Sequence, residues 1–198
     1  MVIDYKDKEL TQKYQLMAQT IIPRPIAWIV TESENGLVNI APFSYFIGLS
    51  SDPATVLVSI GHKKDGTPKD TLKNIREQKR CTICFVEEEQ LKPMHSSSKE
   101  LDFQTSEAEY FNIETENIIA DFPPIVKGIP SAFFCTFNQE IVLEGSKTIP
   151  LVLNVEHQYI DERCIEKDQE KFVIHFSPVA RIGKSYALLG AEITPLVP

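Results

Sequence analysis

Pro23-Arg-Pro-Ile-Ala-Trp-Ile-Val-Thr31, Asn35-Gly36 and Asn39-Ile-Ala-Pro-Phe-Ser-Tyr-Phe46 decide how this chain folds. The apolar run from Ile26 to Val30 reads as a strand that ends at Thr31. Asn35-Gly36 is a hairpin signal, because both residue types tolerate the positive φ of tight turns. Asn39, Ala41, Pro42 and Ser44 then stand where a buried strand should be apolar. Small residues let a ligand approach the backbone, and Pro42 withholds an N–H from the ladder. Pattern alone leaves two readings open: a hairpin followed by an irregular edge strand, or a ligand-facing bend into a third strand.

Outward from this stretch the chain alternates strands with few helices. Leu10, Tyr14, Met17 and Ala18 have helical spacing over residues 8 to 19. Asp52-Pro53 marks a turn, and Ala54 to Ile60 reads as a buried strand. Thr67, Pro68 and Asp70 form a helix-start signal, with Thr67 as the capping hydroxyl, for a helix over 67–79. Cys81 to Val86 returns to strand. Residues 87 to 112 are polar, with short helices expected around Glu88–Met94 and Ser106–Phe111. Ser131–Leu143 and Thr148–Ile160 read as a long antiparallel pair, and Phe172 to Phe176 follows as part of the tail. Only one clear helix separates these strands, which argues against a doubly wound parallel sheet. A mainly β, Greek-key-like antiparallel barrel with peripheral helices fits better. Neither a repeat nor a linker divides the chain, so residues 1–198 are expected to form a single domain.

Bulk composition narrows the function classes. The net charge of −8 argues against nucleic-acid binding, which needs a basic face to replace phosphate counterions. It leaves an anionic small ligand open, since one local Lys or Arg can dominate a pocket. No apolar stretch approaches the roughly 20 residues of a membrane-spanning helix. The charged start, Met1 to Leu10, lacks a signal-peptide core. A cytoplasmic protein with no membrane partner is the expectation. The chain has four cysteines, of which Cys81 and Cys84 form a CxxC. On a strand, residues three apart point to opposite faces, so that pair suits neither a redox motif nor zinc. The histidines His62, His95, His157 and His175 show no ligand spacing, and no metal site is expected.

Two phosphate motifs fail. Gly61-His-Lys-Lys-Asp-Gly66 starts like a P-loop but continues Thr-Pro, without the lysine and metal-binding hydroxyl. No GxGxxG occurs, so a Rossmann site is not expected. Lys69-Asp70-Thr71 is more informative, because it lies in the first turn of the expected helix. A helix N-terminus offers free N–H groups and a partial positive charge to a phosphate. Spacing alone also permits plain capping, with Lys69 and Lys73 solvated. Asn74 lies one turn further on, and Ser59 offers a hydroxyl near the helix start.

The order PRPIAW, Thr31, NG, NIAPFSYF, a DP turn, a strand ending VSI, KDT-x-x-N and a late RIG-x-x-Y resembles the flavin reductase-like family. The likeness spans roughly residues 20 to 190. It implies the FMN-binding split-barrel fold and FMN as cofactor, with NAD(P)H as electron donor. It implies a small-molecule flavin or nicotinamide substrate, and a homodimer with FMN near the subunit interface. By the same resemblance, Lys69, Asp70 and Thr71 hold the FMN phosphate, with Ser59 and Asn74 beside it. Thr31, Asn39, Ile40, Ala41, Pro42 and Ser44 line the ring and ribityl chain, and Tyr186 packs near the cofactor. Arg24 is either catalytic or a brace for the strand start, and bracing is the preferred reading. Trp28 is either core, dimer interface or a stacking partner. No dedicated acid or base is found, which suits a flavin that carries the chemistry itself. An NAD(P)H-dependent flavin reductase is the leading expectation. A non-enzymatic FMN electron carrier resembling flavoredoxin and a cofactor-free interaction module are the alternatives. The Leu101-Asp-Phe103 segment is the nearest match to the family's acidic Asp-Glu-Phe element and departs from it. The polar 95–122 region around it is expected to shape the substrate side of the pocket, so the resemblance does not carry over a substrate identity.

Overall fold

Alternation along residues 26 to 31 sets the architecture. Ile26, Trp28 and Val30 join one hydrophobic core, and Ala27 and Ile29 join another. Successive strand residues face opposite sides of a sheet, so a strand apolar on both faces must be covered on both. The computed structural model describes residues 1–168 and 171–193. Its strands are β1 (Ala27–Glu32), β2 (Val38–Phe43), β3 (Phe46–Ser51), β4 (Ala54–Gly61), β5 (Arg80–Cys84), β6 (Thr115–Glu116) and β7 (Ile125–Val126). They continue with β8 (Ser131–Glu140), β9 (Thr148–Ile160), β10 (Ile165–Asp168), β11 (Lys171–Ile174), β12 (Val179–Ile182) and β13 (Ser185–Leu188). The helices are α1 (Leu10–Thr20), α2 (Asp70–Gln78), α3 (Leu91–Ser96) and α4 (Glu107–Tyr110).

A seven-stranded antiparallel sheet runs in the order β2-β1-β5-β8-β9-β4-β3. Its two edge strands, β2 and β3, are consecutive in the chain and meet at Ser44 and Tyr45. The sheet therefore curls on itself, and its seam lies at that corner. This is the antiparallel barrel that the strand pattern predicted, in the split form that the family resemblance implied. The inner core joins Val58, Ile60, Ile83, Cys135, Leu151 and Leu153 to Leu72 and Ile75 of α2. The outer core packs Trp28, Val30, Cys84, Val86 and Phe134 against Met94 of α3 and Val179 of β12. Trp28 is fully buried, and its indole N–H donates to Ser97 Oγ at 2.9 Å, so it belongs to this core.

Cys81 and Cys84 diverge as strand geometry requires. Cys81 enters the inner core opposite Cys135, while Cys84 enters the outer one. Burial pushes the Cys84 thiol up to about 12, against a lowering hydrogen bond from the Val126 N–H.

Local readings differ from the structure at two points. Asn35-Gly36 was expected to turn with positive φ at both residues, yet of the two only Gly36 adopts it, at +75°. The turn spans Ser33 to Gly36, closed by Gly36 N–H to Ser33 O at 2.9 Å, so only its last residue needs the left-handed region. Thr67 was expected to cap the helix, but α2 begins at Asp70. The Thr67 amide and hydroxyl both bind the Asp65 carboxylate, at 2.9 and 2.6 Å, and Pro68 bridges to His62. That local turn outcompetes the cap. Lys69 is left as the N-cap position, with no side chain capping the helix.

Candidate functional site

The seam of the barrel opens into a cavity of about 360 Å³. Pro42, Phe43, Ser44 and Tyr45 form one wall, where the chain crosses from β2 to β3. Ser59 and Gly61 at the end of β4 adjoin it, as does Lys69 at the start of α2. Met94 and His95 of α3 and Arg181 and Tyr186 of the β12–β13 hairpin complete the site. Its lining combines the apolar side chains of Ile26, Pro42 and Met94 with hydroxyls from Ser44, Ser59 and Tyr186.

Charge in the cavity runs opposite to charge in the chain. The protein carries −8 overall, yet Lys69 and Arg181 face the cavity and, among the described residues, no carboxylate lines it. Among the described residues neither cation forms an ion pair. Lys69 Nζ lies 5.8 Å from the Phe43 ring centroid, a weak cation–π contact that leaves its N–H donors available. Burial raises the Tyr45 hydroxyl above its ordinary value, nearby Tyr14 adds to that, and Arg24 opposes it.

Arg24 braces this corner, as expected. It is 3% exposed, and Nη1 donates to the carbonyls of Ala18 at 2.6 Å and Ile21 at 2.7 Å. Those carbonyls lie at the C-terminal end of α1, where the helix dipole is negative. Its Nε reaches Ser44 Oγ at 3.4 Å, and its backbone pairs with Arg181.

The structure brings Pro42, Ser44, Ser59, Lys69 and Tyr186 together at the cavity. Thr31, Asn39, Thr71 and Asn74 instead form a buried cluster behind it. Asn39 Nδ2 donates to Thr31 Oγ1 at 3.3 Å and to Thr71 Oγ1 at 2.9 Å. Asn74 Nδ2 reaches the same Thr31 Oγ1 at 3.1 Å, and its buried Oδ1 finds no partner among the described residues. Asp70 is paired with Lys63 at 2.7 Å. Ile40 is wholly buried in the outer core, and Ala41 packs against the inner one. His95 and Arg181 were not singled out by sequence reasoning. Arg181 stood inside the RIG-x-x-Y element, which was a usable signal. His95 offered none.

Glu107 was also missed. β2 is an edge strand, so its outward N–H and C=O groups need partners. Glu107 Oε2 accepts from Ile40 N–H at 3.1 Å, and Ser106 Oγ donates to Val38 O at 2.7 Å. Two side chains thus stand in for a neighbouring strand along the NIAPFS segment. Glu107 is 4% exposed, and burial raises its carboxyl above the usual range, with the Ile40 N–H among the opposing contacts. A carboxyl raised on folding contributes stability that is present below its unfolded value and lost as pH rises through its folded value. Glu107→Gln should therefore gain in melting temperature relative to the parent as pH rises from about 4 to 7. A difference between the two that is flat across that range contradicts the assignment.

The flavin reductase like domain matches residues 17–179, and the chain belongs to that family. Nitrilotriacetate monooxygenase component B from Bacillus cereus is similar in structure, with a TM-score of 0.91 and 25% identity over 98% of each chain. The 2-nitrobenzoate 2-nitroreductase of Pseudomonas fluorescens gives a TM-score of 0.88 and 27% identity, over 100% of this chain and 96% of that one. Flavoredoxin of Desulfovibrio vulgaris shares the fold at a TM-score of 0.75 and 15% identity, over 98% of this chain and 97% of that one. A protein of Aquifex aeolicus is 29% identical over 176 residues, 87% of each chain. No helix among the described residues is long and apolar enough to cross a membrane.

Proposed function

We propose that this chain is an FMN-dependent oxidoreductase that draws electrons from NAD(P)H and passes them to a flavin or a small-molecule acceptor. One observation carries the reading: a cavity at the barrel seam lined by two cations and, among the described residues, no carboxylate, in a chain of net charge −8. The donor set fits FMN, which joins a dianionic phosphate to a flat, largely apolar ring with a polar edge. FMN, when bound, supplies the hydride and electron chemistry, and the protein binds and orients it.

Lys69 Nζ and the Ser59 hydroxyl would hold the phosphate at the N-terminus of α2, where no side chain caps the helix and its dipole would add to their attraction. Ser44 Oγ and the backbone from Pro42 to Tyr45 would serve the polar groups of the ring, and Ile26 and Met94 would give it apolar contact. The Thr31, Asn39, Thr71 and Asn74 cluster fixes the start of α2 against β1 and β2, so that Lys69 is aimed before the ligand arrives. The edge strand β3 leaves Ile47 and Leu49 at 62% and 52% exposed beside the cavity corner, which supports a homodimer with its seam near the cofactor.

Two relatives favour a reductase over a passive carrier: one is called a nitroreductase, the other a monooxygenase component. The test is oxidation of NADH and of NADPH by the purified protein with free flavin added. Flavin-dependent oxidation of either one is the expected result. Binding of FMN without oxidation of either nucleotide contradicts the reductase reading.

A further inference from the structure

Arg181 is the second cation of the cavity, and the phosphate site at Lys69 does not use it. It reaches the cavity from a different wall, formed by the β12–β13 hairpin and α3. Its backbone is fixed by reciprocal bonds to Arg24, at 3.1 and 2.9 Å. Its guanidinium lies 4.5 Å from the centroid of the Tyr186 ring, its register partner across the hairpin. Nε donates to Gly183 O at 3.2 Å. The Tyr186 hydroxyl is in turn fixed by His95 Nδ1 at 2.9 Å, with the two rings edge to face.

The result is a guanidinium held by its face and by Nε. Its two terminal nitrogens have no acceptor among the described residues, and no carboxylate neutralises it. Such a fork matches the two oxygens of a carboxylate or phosphate. Holding it in place beforehand removes much of the ordering cost that a mobile arginine would add on binding.

We propose that Arg181, held by Tyr186 and His95, docks the anionic group of the second substrate. That substrate carries a carboxylate or a phosphate and enters beside the cofactor. The proposal rests on the flavin reading of the cavity and assigns a separate anion subsite within it. The shared chemistry has two sources: the phosphates of a nicotinamide dinucleotide, or the carboxylate of an organic acceptor. Arg181 is the binding residue, and Tyr186 and His95 are positioning residues.

The test is calorimetric titration of NADP⁺ and of benzoate into the FMN-loaded protein, with FMN affinity measured separately. The parent, Arg181→Gln and Arg181→Lys are compared, and thermal melts check that each variant is folded. Arg181→Gln should weaken at least one anionic probe about tenfold or more, the scale of one to two charge-assisted hydrogen bonds. FMN affinity should stay within about twofold, and Arg181→Lys should lie between parent and Gln. Loss confined to NADP⁺ identifies the nucleotide phosphates, and loss confined to benzoate identifies a carboxylate. The proposal is overturned if the probes bind the parent and Arg181→Gln equally, or if the parent binds neither. A fall in FMN affinity that accompanies the loss of probe binding also overturns it, because Arg181 then belongs to the cofactor's own site. If the parent takes up no FMN, the flavin reading fails instead. The same titrations into cofactor-free protein then decide the anion subsite alone: Arg181-dependent binding sustains it, and Arg181-independent or absent binding overturns it.

Discussion

Lys69→Ala should weaken FMN binding by about ten- to a hundredfold while leaving the fold intact. A hydrogen bond to a charged group contributes roughly 1.5–3 kcal/mol, and each 1.4 kcal/mol is a factor of ten in affinity. Lys69 has no ion-pair partner among the described residues to lose, and its side chain caps nothing, so its removal should barely move the melting temperature. Binding of riboflavin, which lacks the phosphate, should change little in the same variant. Equal affinity of parent and variant for FMN would remove the phosphate from the α2 terminus. Equal weakening of FMN and riboflavin would move Lys69 from the phosphate to the ring.

Arg24→Met should destabilise the protein by about 3 kcal/mol or more, the loss of two charge-assisted bonds at roughly 1.5–3 kcal/mol each. The methionine can fill the space, but the buried Ala18 carbonyl keeps only the longer bond from the Gly183 N–H, at 3.2 Å, and the Ile21 carbonyl loses its Arg24 donor. The end of α1 should loosen, and with it Tyr14, which lines the cavity. FMN affinity should then fall as a secondary effect of a misplaced wall. Denaturant unfolding of parent and variant measures the stability change. A loss below about 0.5 kcal/mol, the range of an ordinary surface substitution, would show that Arg24 braces nothing.

These two residues illustrate what the sequence does and does not disclose. The apolar strand from Ile26 to Val30, with the Asn35-Gly36 turn after it, was legible because both signals are local. So were α2, from Leu72 and Ile75, and the pairing of β8 with β9 around Glu144 to Lys147. The opposite faces of Cys81 and Cys84 followed from strand geometry alone. The strand order was not legible, because Arg80 pairs with Thr136 and Thr55 with Asn154 across separations that no local pattern encodes.

The candidate site divides in the same way. The helix start at Lys69 and the strand end at Ser59 were readable as places, but position alone equally permitted plain capping, and only the family resemblance pointed them at a phosphate. Asn39 stood out as a polar residue where a strand should be apolar, and the family resemblance placed both Thr31 and Asn39 at the ligand; polar residues inside a strand require partners. In the structure those partners are each other, Thr71 and Asn74. A single sequence cannot distinguish a side chain that waits for a ligand from one satisfied by another strand. Glu107 was invisible for a related reason: its role follows from the unpaired edge of β2, far away in the chain. Arg181 became informative only once its backbone was seen paired with Arg24 and its guanidinium seen resting on Tyr186.

The central claim is that the cavity at the barrel seam takes FMN. Its most direct test is an equilibrium titration of the purified chain with FMN, followed by flavin fluorescence and visible absorbance. Saturable binding at one FMN per chain, with riboflavin bound more weakly, is the predicted result. Fluorescence and absorbance that remain those of free FMN at every protein concentration would contradict it.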